Sequence, residues 1–69
     1  MNVGDRVKTV KEWNAQYFEK GLQGTVLRVA LHGPSPLHPE RNHYVDLDEK
    51  VGEWERLWFS PNDLEPEDG

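Results

Sequence analysis

The apolar residues of this chain fall in short, β-branched runs fenced by glycine and proline, and they keep helical spacing for no more than a single turn. That pattern favours strands. Gly4-Asp5 suits a turn, and Arg6-Val7-Lys8-Thr9-Val10 then alternates β-branched with long charged side chains as a first strand. A second strand is expected from Gln23 through Gly24-Thr25-Val26-Leu27-Arg28-Val29-Ala30-Leu31. His43 to Asp48 is the third, with Val45 and Leu47 on one face and Tyr44, Asp46 and Asp48 on the other. Residues 49–53 supply a glycine for a tight reversal into a fourth strand, Trp54 to Phe59, paired with the third as a hairpin. Ser60-Pro61-Asn62-Asp63 predicts one 3₁₀ turn, followed by a short last strand at Leu64-Glu65-Pro66.

Two segments stand outside the strands. Residues 11–22 hold Trp13, Tyr17 and Phe18 among polar side chains and read as a long loop with at most one turn of helix, on which Trp13 and Tyr17 meet. Residues 32–42 contain three prolines, which fix φ and remove amide donors, so an exposed loop is expected there.

With 69 residues and no cysteine, the chain has material for one core and no disulfides to support it. One domain over residues 1–66 is expected, with a frayed acidic tail at 67–69. Its packing resource is three tryptophans, two tyrosines and two phenylalanines. Each large apolar side chain fully buried contributes about 1.5–3 kcal/mol, so these rings can anchor a small core.

No apolar run approaches the roughly 20 residues that cross a bilayer. The polar start Met1-Asn2-Val3-Gly4-Asp5-Arg6 lacks the apolar centre of a signal peptide, so a cytoplasmic location is expected. Charge is uneven: residues 1–31 carry five basic and three acidic side chains, residues 32–69 three basic and ten acidic, for a net charge of −5. An acidic surface repels phosphates at long range, which weighs against general nucleic-acid binding and in favour of a protein partner.

Gly4-Asp5-Arg6-Val7, Gly24-Thr25-Val26, Tyr44-Val45-Asp46-Leu47 and Phe59-Ser60-Pro61-Asn62-Asp63-Leu64-Glu65 together resemble the small SH3-like barrels of prokaryotic type, over nearly the whole chain. The resemblance implies an all-β, five-stranded SH3-like barrel with a long first loop and a 3₁₀ turn before the last strand. It implies much less about function, because such barrels differ widely in what they do. The opening Met1-Asn2-Val3-Gly4-Asp5-Arg6-Val7 is similar to the start of the ferredoxin-thioredoxin reductase variable subunit, and the photosystem I ferredoxin-docking subunit shares the general layout. Both are accessory proteins. The type II dihydrofolate reductases share the architecture too, but their Val-Gln-Ile-Tyr pore segment is replaced here by Glu55-Arg56-Leu57-Trp58-Phe59. KOW modules are a further comparison, although their binding surfaces are usually basic.

Six residues are candidates for a partner-binding surface. Trp13, Tyr17 and Phe18 sit on the loop where SH3 domains build a peptide groove, or else fold back to seal the end of a small barrel. On the fourth strand, Trp54, Arg56 and Trp58 share the outer face while Leu57 and Phe59 point to the core, a composition found at interface hot spots. A bulge that turned one tryptophan inward would weaken that reading. Lys8, Lys11, Lys20 and Arg28 form an alternative, nucleic-acid-binding patch if the fold brings them together.

The remaining features carry less. His32, His38 and His43 have no recognised zinc spacing and are read as solvated, so no metal is expected. Pro36-Leu37-His38-Pro39 has Pro-x-x-Pro spacing but is explained as a stiff loop. The acidic 46–55 hairpin is read as a solvated face. With no cysteine, only Ser35 and Ser60 as serines, and no phosphate-cradling glycine loop, no catalytic residue and no cofactor are assigned. The expectation is a non-catalytic SH3-like accessory module that docks a protein through exposed aromatics, with nucleic-acid binding as the alternative.

Overall fold

The computed structural model describes residues 1–17 and 21–67, apart from the side chains of 15–17. Among these residues five strands follow one another: β1 (Arg6–Thr9), β2 (Gln23–Val29), β3 (His43–Val51), β4 (Trp54–Phe59) and β5 (Leu64–Pro66). One short helix, α1 (Lys11–Tyr17), follows β1, and a 3₁₀ turn (Pro61–Asp63) precedes β5. The fold is all-β in its sheet and core. The strands form one antiparallel sheet in the order β4-β3-β2-β1-β5.

Among the described residues no ladder joins β4 to β5, so backbone pairing does not close the sheet into the expected barrel. After Phe59 the chain crosses the end of the sheet through the 3₁₀ turn instead. Ser60 caps this turn by accepting from the Asn62 amide at 3.3 Å. The following three residues can then pair only with β1.

The strands form where side-chain alternation meets a one-sided core. In β3, His43, Val45 and Leu47 are buried while Tyr44 and Asp46 are half-buried on the other face. The core comprises Val7, Leu22, Val26, Val45, Leu47, Phe59 and Leu64, with Trp13, Val51 and Leu57 packed against it. Glycine matters at two points. A Cβ on Gly24 would run into the backbone carbonyl of Asp46 and the Val45 side chain, so β2 and β3 approach closely there only because it is absent. Gly52 begins the two-residue β3–β4 turn at φ +61°, in the left-handed region.

Several boundaries differ from the expectation. β1 and β2 end at Thr9 and Val29, short of the expected Val10 and Leu31. β3 runs on to Val51, because the β3–β4 register shifts between Asp46 and Val51 and pairing resumes at Val51–Trp54. Residues 11–17 form two helical turns rather than one, and backbone bonds fix the start of the helix. The Val10 amide donates to the Asp63 carbonyl at 3.0 Å, and the Asn14 amide to the Val10 carbonyl at 3.0 Å. Glu67, expected to fray, donates its amide to the Arg6 carbonyl at 3.1 Å and accepts from Arg6 Nε at 3.0 Å. Residues 68–69 of the expected tail lie outside the described residues.

Candidate functional site: a groove between the first helix and strand four

Trp13 is carried by α1, whose base is fixed by Thr9. The Thr9 hydroxyl donates to Asn14 Oδ1, and Asn14 Nδ2 donates back to the Thr9 carbonyl at 3.3 Å. So placed, the Trp13 ring meets Phe59 edge-on, with centroids 5.4 Å apart at 65°. Part of the indole packs against the core, and its remaining surface forms a wall. Trp13 and Phe59, with Leu57 and Trp58, line a shallow groove of about 140 Å³, flanked by Arg41 and Asp63. Because β4 is an edge strand, Leu57 and Trp58 reach this groove although they alternate on it.

Its electrostatics are simple. Arg41 and Asp63 make no ion pair with each other or with another described residue, so one unpaired cation and one unpaired anion flank an aromatic floor. At about 140 Å³ the groove is well below the roughly 300–1,000 Å³ of pockets that enclose a small molecule. It can seat one or two side chains of a larger ligand.

The structure joins the two expected aromatic sets at Trp13 and Trp58 and places the other candidates elsewhere. Trp58 leans on Tyr44, with centroids 4.8 Å apart and planes 33° apart. Arg56 lies opposite Asp46, Nε to Oδ1 3.6 Å. Trp54 stands at the hairpin end, 63% exposed. The side chain of Tyr17 and all of Phe18 lie outside the described residues. Sequence reasoning did not place Arg41 and Asp63 here, because they come from separate connections and no local pattern links them.

Of the basic set, Lys8 and Lys11 share an open depression of about 390 Å³ beside Gly21 and Gln23. Lys8 is paired there with Glu65 at 3.6 Å. Arg28 lies opposite Tyr44, five residues along β2 from the Gln23 that faces Lys8, or about 17 Å at strand rise. Lys20 lies outside the described residues.

The histidines are dispersed, and no group of three or more potential metal ligands forms among the described residues. His38 Nδ1 lies 3.2 Å from Glu40 Oε1. His43 is buried in β3, where burial lowers its pKa, and its Nδ1 meets Asn42 Oδ1 at 2.7 Å. No described helix is long and apolar enough to cross a membrane. Comparison with protein-family models, with curated proteins and with solved structures finds no match.

Proposed function

We propose that the chain is a non-catalytic binding module of the SH3-like type, which docks a segment of a partner protein in the groove between α1 and β4. The fold assignment is supported by the strand order β4-β3-β2-β1-β5, the long connection between β1 and β2, and the 3₁₀ turn before β5. These are the features that the resemblance implies for the family.

The observation that carries the functional reading is the meeting of Trp13 and Trp58 in a groove with unpaired Arg41 and Asp63 beside it. Large rings supply contact area with little rotamer entropy to lose, and the flanking charges supply orientation. The groove's size suits a protruding side chain better than an enclosed metabolite. Nucleic-acid binding has weaker support, since Arg28 is remote from Lys8 and Lys8 is already paired.

The test is affinity capture from the native extract with tagged wild type, Trp58→Ala and Arg41→Glu, each first checked for folding. One protein retained by wild type and lost from both variants supports the reading. Capture that is equal for all three, or of nucleic acid alone, overturns it.

A further inference from the structure

Among the described residues the sheet has three stretches of open strand edge, and two of them are protected. β5 is three residues long and ends in Pro66, and β4 carries Glu53, Glu55 and Arg56 at or beside its exposed half. The third stretch is the β1-facing side of β2 beyond Val26. Bonds to the β1 side stop at Val26, whose amide donates to the Asp5 carbonyl at 3.0 Å and whose carbonyl accepts from Gly4 at 2.7 Å. Pairing with β3 continues to Val29, past a register shift at Leu27. No described strand covers the β1-facing side of residues 27–31.

The direction of the backbone there follows from its neighbours. The Ala30 amide donates to the Asn42 carbonyl at 2.9 Å, and the Ala30 carbonyl accepts from Asn42 Nδ2 at 2.9 Å, so both Ala30 groups face β3. Successive residues of a strand alternate in direction, so the N–H and C=O of Val29 face the open edge. Around them Leu27, Val29 and Leu31 are 40%, 42% and 92% exposed. The segment 27–31 contains no proline and no acidic residue, and its one charge is Arg28.

We propose that this edge pairs antiparallel with the same edge of a second copy of the chain, about a two-fold axis at Val29. Leu27-Arg28-Val29-Ala30-Leu31 is close to self-complementary when reversed, as a two-fold interface requires. Centred on Val29, the pairing sets Leu27 opposite Leu31 of the second copy and Arg28 opposite Ala30. The two Val29 residues exchange both backbone hydrogen bonds. No like charges stand directly opposite, which would be unfavourable across strands. Net charge favours this edge over others: the chain carries −5, yet residues 20–39 contain no aspartate or glutamate. Two copies therefore meet where their mutual repulsion is least.

Five residues a side is a small interface beside the roughly 800 Å² per partner of a standard one, so the dimer is weak and forms at high concentration. Added salt screens the repulsion between the acidic copies and strengthens it. The groove between α1 and β4 is a separate surface, so this inference stands or falls apart from the proposed function.

The test combines sedimentation velocity with amide exchange followed by NMR over a wide concentration range, on wild type, Leu31→Lys and Val29→Lys. Both substituted positions are solvent-exposed, and the spectra establish that each variant folds. Wild type is expected to shift from monomer to dimer, with Val29 amide exchange slowed roughly tenfold where nine-tenths of the chain is dimeric. Leu31→Lys and Val29→Lys remain monomeric over the same range. A wild type that stays monomeric throughout, or a dimer that survives both substitutions with Val29 exchange unchanged, overturns the proposal.

Discussion

Arg6 on β1 and Asp48 on β3 meet across the intervening strand β2, two guanidinium nitrogens facing two carboxylate oxygens, with Nη1 to Oδ1 at 2.8 Å. Thr25 on β2 accepts from Arg6 Nη1 at 3.1 Å, and Glu67 accepts from Nε at 3.0 Å. One side chain thus ties three strands and the segment after β5 together on the outer face. Bidentate geometry sets this contact apart from the average surface ion pair.

The pH dependence follows from that pair. The hydrogen bond from Arg6 holds the Asp48 carboxyl below its ordinary value of 3.8. As pH falls, the unfolded chain takes up this proton first, so the contribution is whole above about pH 4 and is lost as pH drops through the folded-state value. Wild type should melt above Asp48→Asn at pH 6, and the gap should narrow as the pH falls below about 3.8. A gap that persists unchanged in acid would show that the pair is not its source.

His43 acts in a higher window. Asn42 Nδ2 donates to the Ala30 carbonyl, so Asn42 Oδ1 is the atom that accepts from His43, and the imidazole carries its hydrogen on Nδ1. Burial holds its pKa below 6.5. The neutral form is therefore the folded one: its stabilisation is complete above about pH 6.5 and declines as pH falls toward the depressed value. The His43 ring resonances should titrate below the ordinary histidine value of 6.5 by NMR. A midpoint at or above it would contradict the burial.

These features were legible in the sequence to unequal degrees. The β3 pattern was readable because His43–Leu47 faces core on one side and solvent on the other, so its residues alternate. The extension to Val51 was not, because it depends on a shift of register between Asp46 and Val51 against the partner strand. The start of α1 is tied to Asp63, far along the chain, and to Thr9, neither of which a local helical period reports. The two tryptophans of the groove stood out as large exposed-strand or loop aromatics. Arg41 and Asp63 did not, since only the assembled sheet brings their connections beside β4.

Gly24 offers a steric prediction. Gly24→Ala places a methyl group against the Asp46 backbone, which cannot swing aside as a side-chain end would, so β2 and β3 must separate. Overpacking of this kind costs about 1–3 kcal/mol. Gly52→Ala meets no atom and instead carries the left-handed backbone penalty of about 1–2 kcal/mol. Urea melts of the two variants should both fall, but only Gly24→Ala should disturb the amide shifts of Val45 and Asp46. Undisturbed shifts there would mean that the strands have room to spare.

Thr9 closes the base of the 11–22 connection with a single hydroxyl. Its Oγ1 accepts from the Leu22 amide at 2.9 Å and donates to Asn14 Oδ1, in a buried position where water cannot substitute. Thr9→Val keeps the shape but orphans the Leu22 amide, and a buried unsatisfied donor costs about 1–3 kcal/mol. Thr9→Ser keeps the hydroxyl and loses one methyl group, worth about 1 kcal/mol. Because the hydroxyl also holds Asn14, one residue from Trp13, Thr9→Val should weaken partner capture beyond what its stability loss explains. Thr9→Ser should not. Equal capture by the two variants, each measured well below its melting temperature, would separate the groove from the loop base that is held here to position it.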